Sequence, residues 1–337
     1  MNALEVMQDT KQDEFVELEA ALESLRDEIR CRFPASSRRY GTRAGTPEAT
    51  VETPGRGAVL VALAAELRER LATLGMREQS AVVDEFGMDE AALHRAGPVL
   101  DGLFDTWWRV AVHGLDRLPP TGGCLLAANR SGVVPYDGLM LSHAIARFEP
   151  SRTRPAFLVD DRVAGLPFVQ PRLARLGGVR ACTENTLRLL RAGRRVIAFP
   201  EGVRGATKLF RDRYRLQRFS RGGVVRLALE TGLPLLPVGI VGAEEAHPVL
   251  FKAHRPARAV GLSYLPVTLT FPLLGPFGLV PLPTKWGIRI GEPLALDDLP
   301  PDAAQDDRLV SRLTEELRVR VQERVDRALG DRQSVWE

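Results

Sequence analysis

Cysteine and histidine are scarce in this chain, and their scarcity excludes several kinds of protein. The 337 residues include three cysteines and five histidines. An odd number of widely spaced cysteines, Cys31, Cys124 and Cys182, argues against a disulfide framework and indicates a reducing compartment. Because no Cys-x-x-Cys pair occurs and the histidines are scattered, we expect no metal site. The N-terminus has acidic residues and no apolar core of signal-peptide length, so we also expect no secretion signal.

An uninterrupted apolar run that could cross a bilayer as a helix is missing as well. Residues 259–284 carry no charge, but they contain five prolines, which break helices and remove backbone donors. One interpretation is a buried strand at 267–271 followed by an apolar surface loop. The other is an interfacial loop at 271–280 that dips into a membrane and is flanked by Arg258 and Lys285. The sequence leaves both interpretations open.

The remaining composition is typical of a globular protein. Hydrophobic residues make up 45% of the chain, and 46 basic residues nearly balance 43 acidic ones, for a net charge of +3. Anions must therefore be attracted by local clusters of charge. The pattern predicts an amphipathic helix at 1–33, a flexible linker at 34–57, a helical N-terminal region at 58–106, an α/β domain at 107–296 and a C-terminal helix at 297–337. The heptad-like spacing of the first helix also offers a surface for self-association.

Strand and helix patterns alternate through the α/β domain. The predicted strands lie at 107–114, 124–127, 156–159, 196–199, 235–241, 267–271 and 286–290, and the last is expected to close the sheet. The predicted helices lie at 138–148, 166–176, 186–190 and 222–230, with a long one at 307–329. This alternation predicts the α/β class, with a mostly parallel sheet flanked by helices and an N-terminal helical extension.

Two polar loops stand out within this domain. Residues 128–137 read Ala-Asn-Arg-Ser-Gly-Val-Val-Pro-Tyr-Asp, and residues 199–204 read Phe-Pro-Glu-Gly-Val-Arg. Each loop follows a short apolar strand and breaks into polar residues with Gly or Pro. In open α/β sheets, ligands bind in the crevice outside the carboxyl ends of strands. We therefore expect the two loops to converge on one site.

These loops resemble those of the glycerolipid acyltransferase family, which includes the lysophosphatidate (1-acylglycerol-3-phosphate) acyltransferases. The second loop matches the family's Phe-Pro-Glu-Gly loop, and the first resembles its Asn-His-Ser-Gly loop with an Asp further on. Arg130 stands where the family has histidine. In the family that histidine, oriented by the Asp, is thought to deprotonate an acceptor hydroxyl, which then attacks an acyl thioester. Arginine stays protonated in proteins and cannot take that part.

The resemblance implies that Arg130 and Asp137 lie at the reacting centre, with Asn129 and Ser131 among the substrate-binding residues. Arginine at this place would stabilise an oxyanion or bind phosphate, and the acceptor would be deprotonated by Asp137, by water or by the substrate itself. The residues alone also allow Asp137 to complement the N-terminus of the following helix, or to pair with Arg130. Such a pair would lower the pKa of Asp137 and weaken it as a base.

For the second loop, the resemblance implies that Glu201 and Arg204 hold the glycerol phosphate of the acceptor. Gly202 would let the backbone come close to the ligand, and we expect the loop to be accessible. The alternative is a strand-end turn with solvated charges. Arg204 and Lys208, both expected to bind substrate, begin a basic run that continues with Arg211, Arg213, Arg215, Arg218 and Arg221. The run suits the phosphates of a thioester carrier or an anionic membrane, and no nucleic-acid motif accompanies it.

The function implied by the resemblance is an acyltransferase of phospholipid and glycerolipid metabolism. It would move a fatty acyl group from an acyl-CoA or acyl-carrier-protein thioester to a lysophospholipid-type hydroxyl acceptor, with no cofactor beyond that co-substrate. The expected partners are the donor, the acceptor and a membrane surface, without nucleic acid, and the expected location is the cytoplasmic, inner face of a membrane. The alternative, kept open by Arg130, is a catalytically silent lipid- or acyl-thioester-binding protein of the same fold.

Overall fold

A computed structural model describes residues 83–336, apart from 133, 151, 165–168, 221, 254–264, 269, 272, 274–279, 297–298 and 301. The amphipathic helix predicted at 1–33, the linker predicted at 34–57 and the first part of the helical region at 58–106 lie outside the described residues.

The strands and helices alternate along the described chain, as the sequence predicts. The strands are β1 (Ala111–His113), β2 (Cys124–Ala128), β3 (Ala156–Val159), β4 (Gly178–Arg180), β5 (Arg195–Ala198), β6 (Leu235–Val241), β7 (Val249–Ala253), β8 (Leu265–Thr268) and β9 (Gly287–Ile290). The helices are α1 (Glu90–Asp101), α2 (Tyr136–Phe148), α3 (Asp161–Ala164), α4 (Gln170–Arg175), α5 (Thr183–Arg191), α6 (Gly202–Ala206), α7 (Gly223–Thr231), α8 (Ala243–Ala246) and α9 (Asp307–Gly330).

A seven-stranded sheet in the order β1-β9-β6-β2-β5-β3-β4 organises the molecule. The five strands from β6 to β4 are mutually parallel, with Leu126 of β2 paired to Ile197 of β5 on one side and to Leu236 of β6 on the other. β9 runs antiparallel to β6 and parallel to β1. The prediction of a mostly parallel α/β sheet flanked by helices is therefore confirmed. Because β2 and β5 are parallel neighbours, the loops that follow them lie next to each other at the carboxyl ends of the strands.

Helices cover both faces of the sheet, which explains why its central strands are apolar throughout. Every residue of β2 and of β6 is buried. The long helix α9 lies across one face and buries a single stripe of side chains: Val310, Leu313, Leu317, Val321, Val325 and Ala328. At Gly239 in β6, a Cβ atom would meet the α9 backbone at Val325, so glycine permits this close approach.

Three strand predictions differ from the structure. The strand predicted at 107–114 covers only Ala111–His113, because Gly102–Trp107 continues α1 as a π-helical turn and Trp108 is buried against Trp286. The strand predicted at 267–271 is β8, and it pairs with β7 in a separate two-stranded sheet. β9 does not lie at the edge of the main sheet, since β1 pairs with its outer side.

Among the residues that the structure describes, no helix is both long enough and apolar enough to cross a membrane. In the segment predicted to be an interfacial or surface loop, Leu273 and Val280 are exposed.

Candidate active site

The two loops meet at the carboxyl ends of β2 and β5, as the sequence predicts. The backbone N–H of Arg130, two residues after β2, donates to Oε1 of Glu201 over 2.9 Å. The parallel pairing of β2 with β5 makes this contact possible, because it brings residues 71 positions apart together at the carboxyl ends of the two strands. One cluster therefore contains the side chains of Arg130, Asp137 and Glu201.

Asp137 lies in the first turn of α2 and is completely buried. Its Oδ1 accepts hydrogen bonds from Nη1 of Arg130 (2.8 Å) and from the backbone N–H of Gly138 (2.8 Å). Its Oδ2 accepts from the backbone N–H (2.9 Å) and the Oγ hydroxyl (3.1 Å) of Ser131. These four donors match the four acceptor sites of a carboxylate. Asp137 therefore holds the first loop and the Arg130 side chain in place.

Burial raises the pKa of Asp137 above its ordinary value, and the Arg130 guanidinium with the donors of Ser131 and Gly138 acts in the opposite direction. The pairing of Arg130 with Asp137 is one of the alternatives that the sequence left open. The pKa of Asp137 is not lowered as expected for such a pair, because the desolvation of a fully buried carboxyl outweighs the pairing. The sequence could not show how deeply the pair is buried.

Arg130 is itself only 2% exposed. Its guanidinium lies over the ring of Phe199, 4.9 Å from the centroid, and its Nη2 is 3.8 Å from Oδ2 of Asp160 at the end of β3. Gly205 in α6 makes room for it, since a Cβ atom at Gly205 would come within 2.7 Å of the Arg130 Cβ. Arg130 therefore sits between two carboxylates, one on α2 and one after β3, and it carries a fixed positive charge.

Asn129 joins two strands. Its Nδ2 donates to the carbonyl oxygen of Ile240 over 2.9 Å, and its Oδ1 accepts from the Ile240 N–H over 2.7 Å. The side chain has no exposed surface, so in this arrangement it anchors the first loop to β6. Its predicted contact with substrate, like that of the buried Ser131, stays a prediction.

Glu201 is buried, in contrast to the accessible residue that the sequence led us to expect. Besides accepting from Arg130, it accepts from the backbone N–H of Gln217 through Oε2 over 2.7 Å, and the Lys208 Nζ lies 3.4 Å from the same oxygen. A carboxylate that bonds two backbone donors in two different loops keeps those loops together. The structure thus gives Glu201 a structural role that pattern reading did not predict.

Lys208 does not belong to the exposed basic patch in which the sequence placed it. Its Nζ is 2.5 Å from Oε1 of Glu244 and its side chain is 5% exposed. Burial acts to lower the pKa of Lys208, but the carboxylates of Glu244 and Glu201 outweigh that effect and raise it. Four arginines of the run are nevertheless exposed: Arg211, Arg213, Arg215 and Arg218. Arg221 lies outside the described residues.

The other two predicted substrate-binding residues lie on α6, where the second loop turns into a helix. Gly202 has a positive φ of 55°, a conformation that favours glycine, and its backbone lines a cavity. Arg204 is exposed, within one turn of Gly202. Of the predicted substrate-binding side chains, Arg204 is the one with free access to solvent.

A cavity of about 280 Å³ opens beside Arg130. Arg130 and Asp160 are the charged side chains that line it. The ends of β3 and β5 together with α7 supply apolar neighbours, Leu158, Ala198, Phe199, Val224 and Leu227, and α5 contributes Thr183 and Thr186. A cavity with an apolar wall and a few charged groups at one end suits an amphiphilic ligand. Within the described residues, no group of three or more His, Cys, Asp or Glu side chains comes together in a way that would hold a metal ion.

Pattern reading missed Asp160, Gly205, Gln217 and Glu244. Asp160 carried a usable signal, because it directly follows the predicted strand 156–159, just as the two recognised loops follow theirs. Glu244 and Gln217 carried none, since their roles depend on contacts between distant loops.

Comparison with known proteins agrees with this site. The Acyltransferase family matches residues 109–241, which contain both loops. An uncharacterized protein of Mycobacterium leprae is 43% identical over 280 residues, covering 82% of this chain and 74% of the relative. Uncharacterized proteins of Mycobacterium bovis and Mycobacterium tuberculosis are each 41% identical over 295 residues, covering 86% of this chain and 80% of the relative.

Among solved structures, the 1-acyl-sn-glycerophosphate (LPA) acyltransferase PlsC from Thermotoga maritima is 17% identical with a TM-score of 0.44, covering 82% of this chain and 94% of that chain. From the family match and the two loops together, the chain belongs to the Acyltransferase family.

Proposed function

We propose that this acyltransferase moves a fatty acyl group from a coenzyme A or carrier-protein thioester to the hydroxyl of a lysophospholipid-type acceptor. The observation that carries the proposal is the position of Arg130, which lies at the junction of the two family loops and lines an otherwise largely apolar cavity. An acyl chain suits the apolar wall, and its carbonyl group suits the charged end.

Arg130 is the catalytic residue of this proposal. Attack on the thioester carbonyl develops negative charge on its oxygen, and a positioned guanidinium stabilises that charge. Asp137 acts through Arg130, because its carboxylate already bonds four donors and fixes the direction of the guanidinium. Asp137 is therefore a positioning residue.

Arg204 is the proposed ligand of the acceptor's phosphate. It is exposed and lies within one turn of Gly202, whose backbone borders the cavity. A guanidinium presents a planar fork of donors that fits phosphate oxygens. Glu201, by contrast, positions the site by accepting hydrogen bonds from the backbone N–H groups of Arg130 and Gln217.

Peripheral association with an anionic membrane completes the proposal, since the acceptor is a lipid. Leu273 and Val280 expose 85% and 53% of their surface, and the exposed Phe251 lies on β7, beside the turn that carries Arg211. Apolar side chains next to basic ones suit a bilayer interface. Replacing Leu273 and Val280 with serine should reduce co-sedimentation with anionic liposomes, because each apolar side chain buried stabilises binding by about 1.5–3 kcal/mol.

Val319→Ser is the matched control for that experiment, since Val319 is 43% exposed on α9, outside this region. Unchanged binding of the double variant that disappears at high salt would assign the contact to the arginines instead.

The second candidate function is a silent binder of lipids or acyl thioesters. The specific observation in its favour is the buried pair of Arg130 and Asp137, which occupies the place of the family's histidine and its aspartate. The purified protein is incubated with a panel of lysolipids and a radiolabelled acyl thioester, either of coenzyme A or of acyl carrier protein. This experiment separates acyl transfer from silent binding. Labelled diacyl product from the wild type, reduced in Arg130→Gln and retained in Arg147→Gln on the exposed side of α2, supports transfer. Bound lysolipid without product supports the binder.

A further inference from the structure

Acyl transfer to a hydroxyl needs a group that accepts the hydroxyl proton. The inference that follows rests on the proposed function. Arg130, in the position of the family's base, cannot accept a proton because it is already protonated. Asp137 has no exposed surface and bonds four donors. The two residues of the family's dyad therefore leave the proton without an acceptor.

Asp160 is a carboxylate that the cavity can reach. It directly follows β3, the strand next to β5, so it lies at the same carboxyl-end side of the sheet as the two loops. Its side chain is 18% exposed, against 0% for Asp137, and it lines the cavity together with Arg130. Its Oδ2 is 3.8 Å from Nη2 of Arg130, which puts a proton acceptor and an oxyanion stabiliser on one wall of the cavity.

We propose that Asp160 is the general base of this enzyme. The acceptor oxygen forms a bond to the thioester carbonyl carbon while its proton passes to the Asp160 carboxylate, and Arg130 stabilises the oxyanion. The oxyanion then collapses, the carbon–sulfur bond breaks, and the proton on Asp160 passes to the departing thiolate. The products are the ester and the free thiol, and Asp160 returns to its ionised form without any further reactant.

Asp160→Asn tests this role with little change of shape, and the chain offers a matched control in the next residue. Asp161 is exposed, pairs with Arg180 over 2.6 Å and does not line the cavity. We expect Asp160→Asn to lower kcat by about 10²-fold or more, the usual contribution of a positioned base, with the KM for the acyl thioester unchanged. Asp161→Asn should keep wild-type kinetics. Thermal melting of both variants checks that the fold is retained.

A second acceptor separates a base from a residue that only positions Arg130. A lysolipid analogue with a difluoromethylene group beside the hydroxyl is more acidic and depends less on a base. The loss of kcat in Asp160→Asn should therefore shrink several-fold with this analogue. A loss of equal size with both acceptors, or kcat within a few-fold of wild type with the natural one, would overturn the assignment. Absence of product from the wild type with every acceptor would instead refute the proposed function itself.

Discussion

Replacing Glu201 with glutamine measures how firmly the second loop is held. The carboxylate accepts one hydrogen bond from the N–H of Arg130 and one from the N–H of Gln217, each on a different oxygen, and it is 2% exposed. Glutamine has a single acceptor oxygen, so one of the two N–H groups would face the amide nitrogen, which is also a donor.

The expected cost follows from these contacts. A buried donor left without an acceptor costs about 1–3 kcal/mol, and losing the charge-assisted character of the remaining bond adds to this. We therefore expect Glu201→Gln to lower the free energy of unfolding by about 2–4 kcal/mol, because one backbone N–H in a buried site is left unpaired. For a domain of this size, that corresponds to a fall in Tm of about 5–15 °C.

Urea unfolding followed by circular dichroism, with Tm as a second measure, provides the assay. Glu230→Gln is the control, because Glu230 is an exposed glutamate on α7. A Glu201 variant that is as stable as the control but has lost acyl transfer would refute the structural interpretation. The carboxylate would then be held for the substrate, as the family resemblance implies.

Three further predictions concern charged and titratable side chains. Arg130→His should lower kcat by about 10²–10³-fold, since it removes the oxyanion donor; a gain of activity would show instead that the natural protein is a disabled acyltransferase. Arg204→Ala should weaken use of lysophosphatidate by about 1.5–3 kcal/mol, the worth of a charge-assisted hydrogen bond, while Arg312→Ala, at an exposed position on α9, should leave it near wild type; equal kinetics of the two variants would remove the phosphate role. Burial and the charge of Arg154 lower the pKa of His143 below its ordinary value of 6.5, so the unfolded chain binds this proton more readily and stability should fall as pH drops below about 6.5. Urea titrations of wild type and His143→Gln check this, and an identical pH dependence of the two proteins would contradict it.

The sequence by itself determined the class of fold and the place of the site. β3 (Ala156–Val159) and β6 (Leu235–Val241) begin and end at the predicted residues, because continuous apolar runs bounded by turn residues are a local signal. The convergence of the two loops was also predictable, since polar residues that follow neighbouring parallel strands all lie at the carboxyl ends of those strands. Residue order along the chain carries this information.

Only the tertiary structure decided what each polar side chain does there. The family resemblance implies that Asn129 and Glu201 bind substrate. In the fold both side chains are buried and form hydrogen bonds with backbone groups more than 15 residues away: Ile240 for Asn129, Gln217 and Arg130 for Glu201. Burial also set the direction of the Asp137 pKa, against the pairing argument. Asp160 reached the cavity because β3 lies next to β5 in the sheet. These hydrogen bonds and the extent of desolvation depend on which distant segments become neighbours in the sheet. The order of strands in the sheet cannot be inferred from the pattern of residues along the sequence.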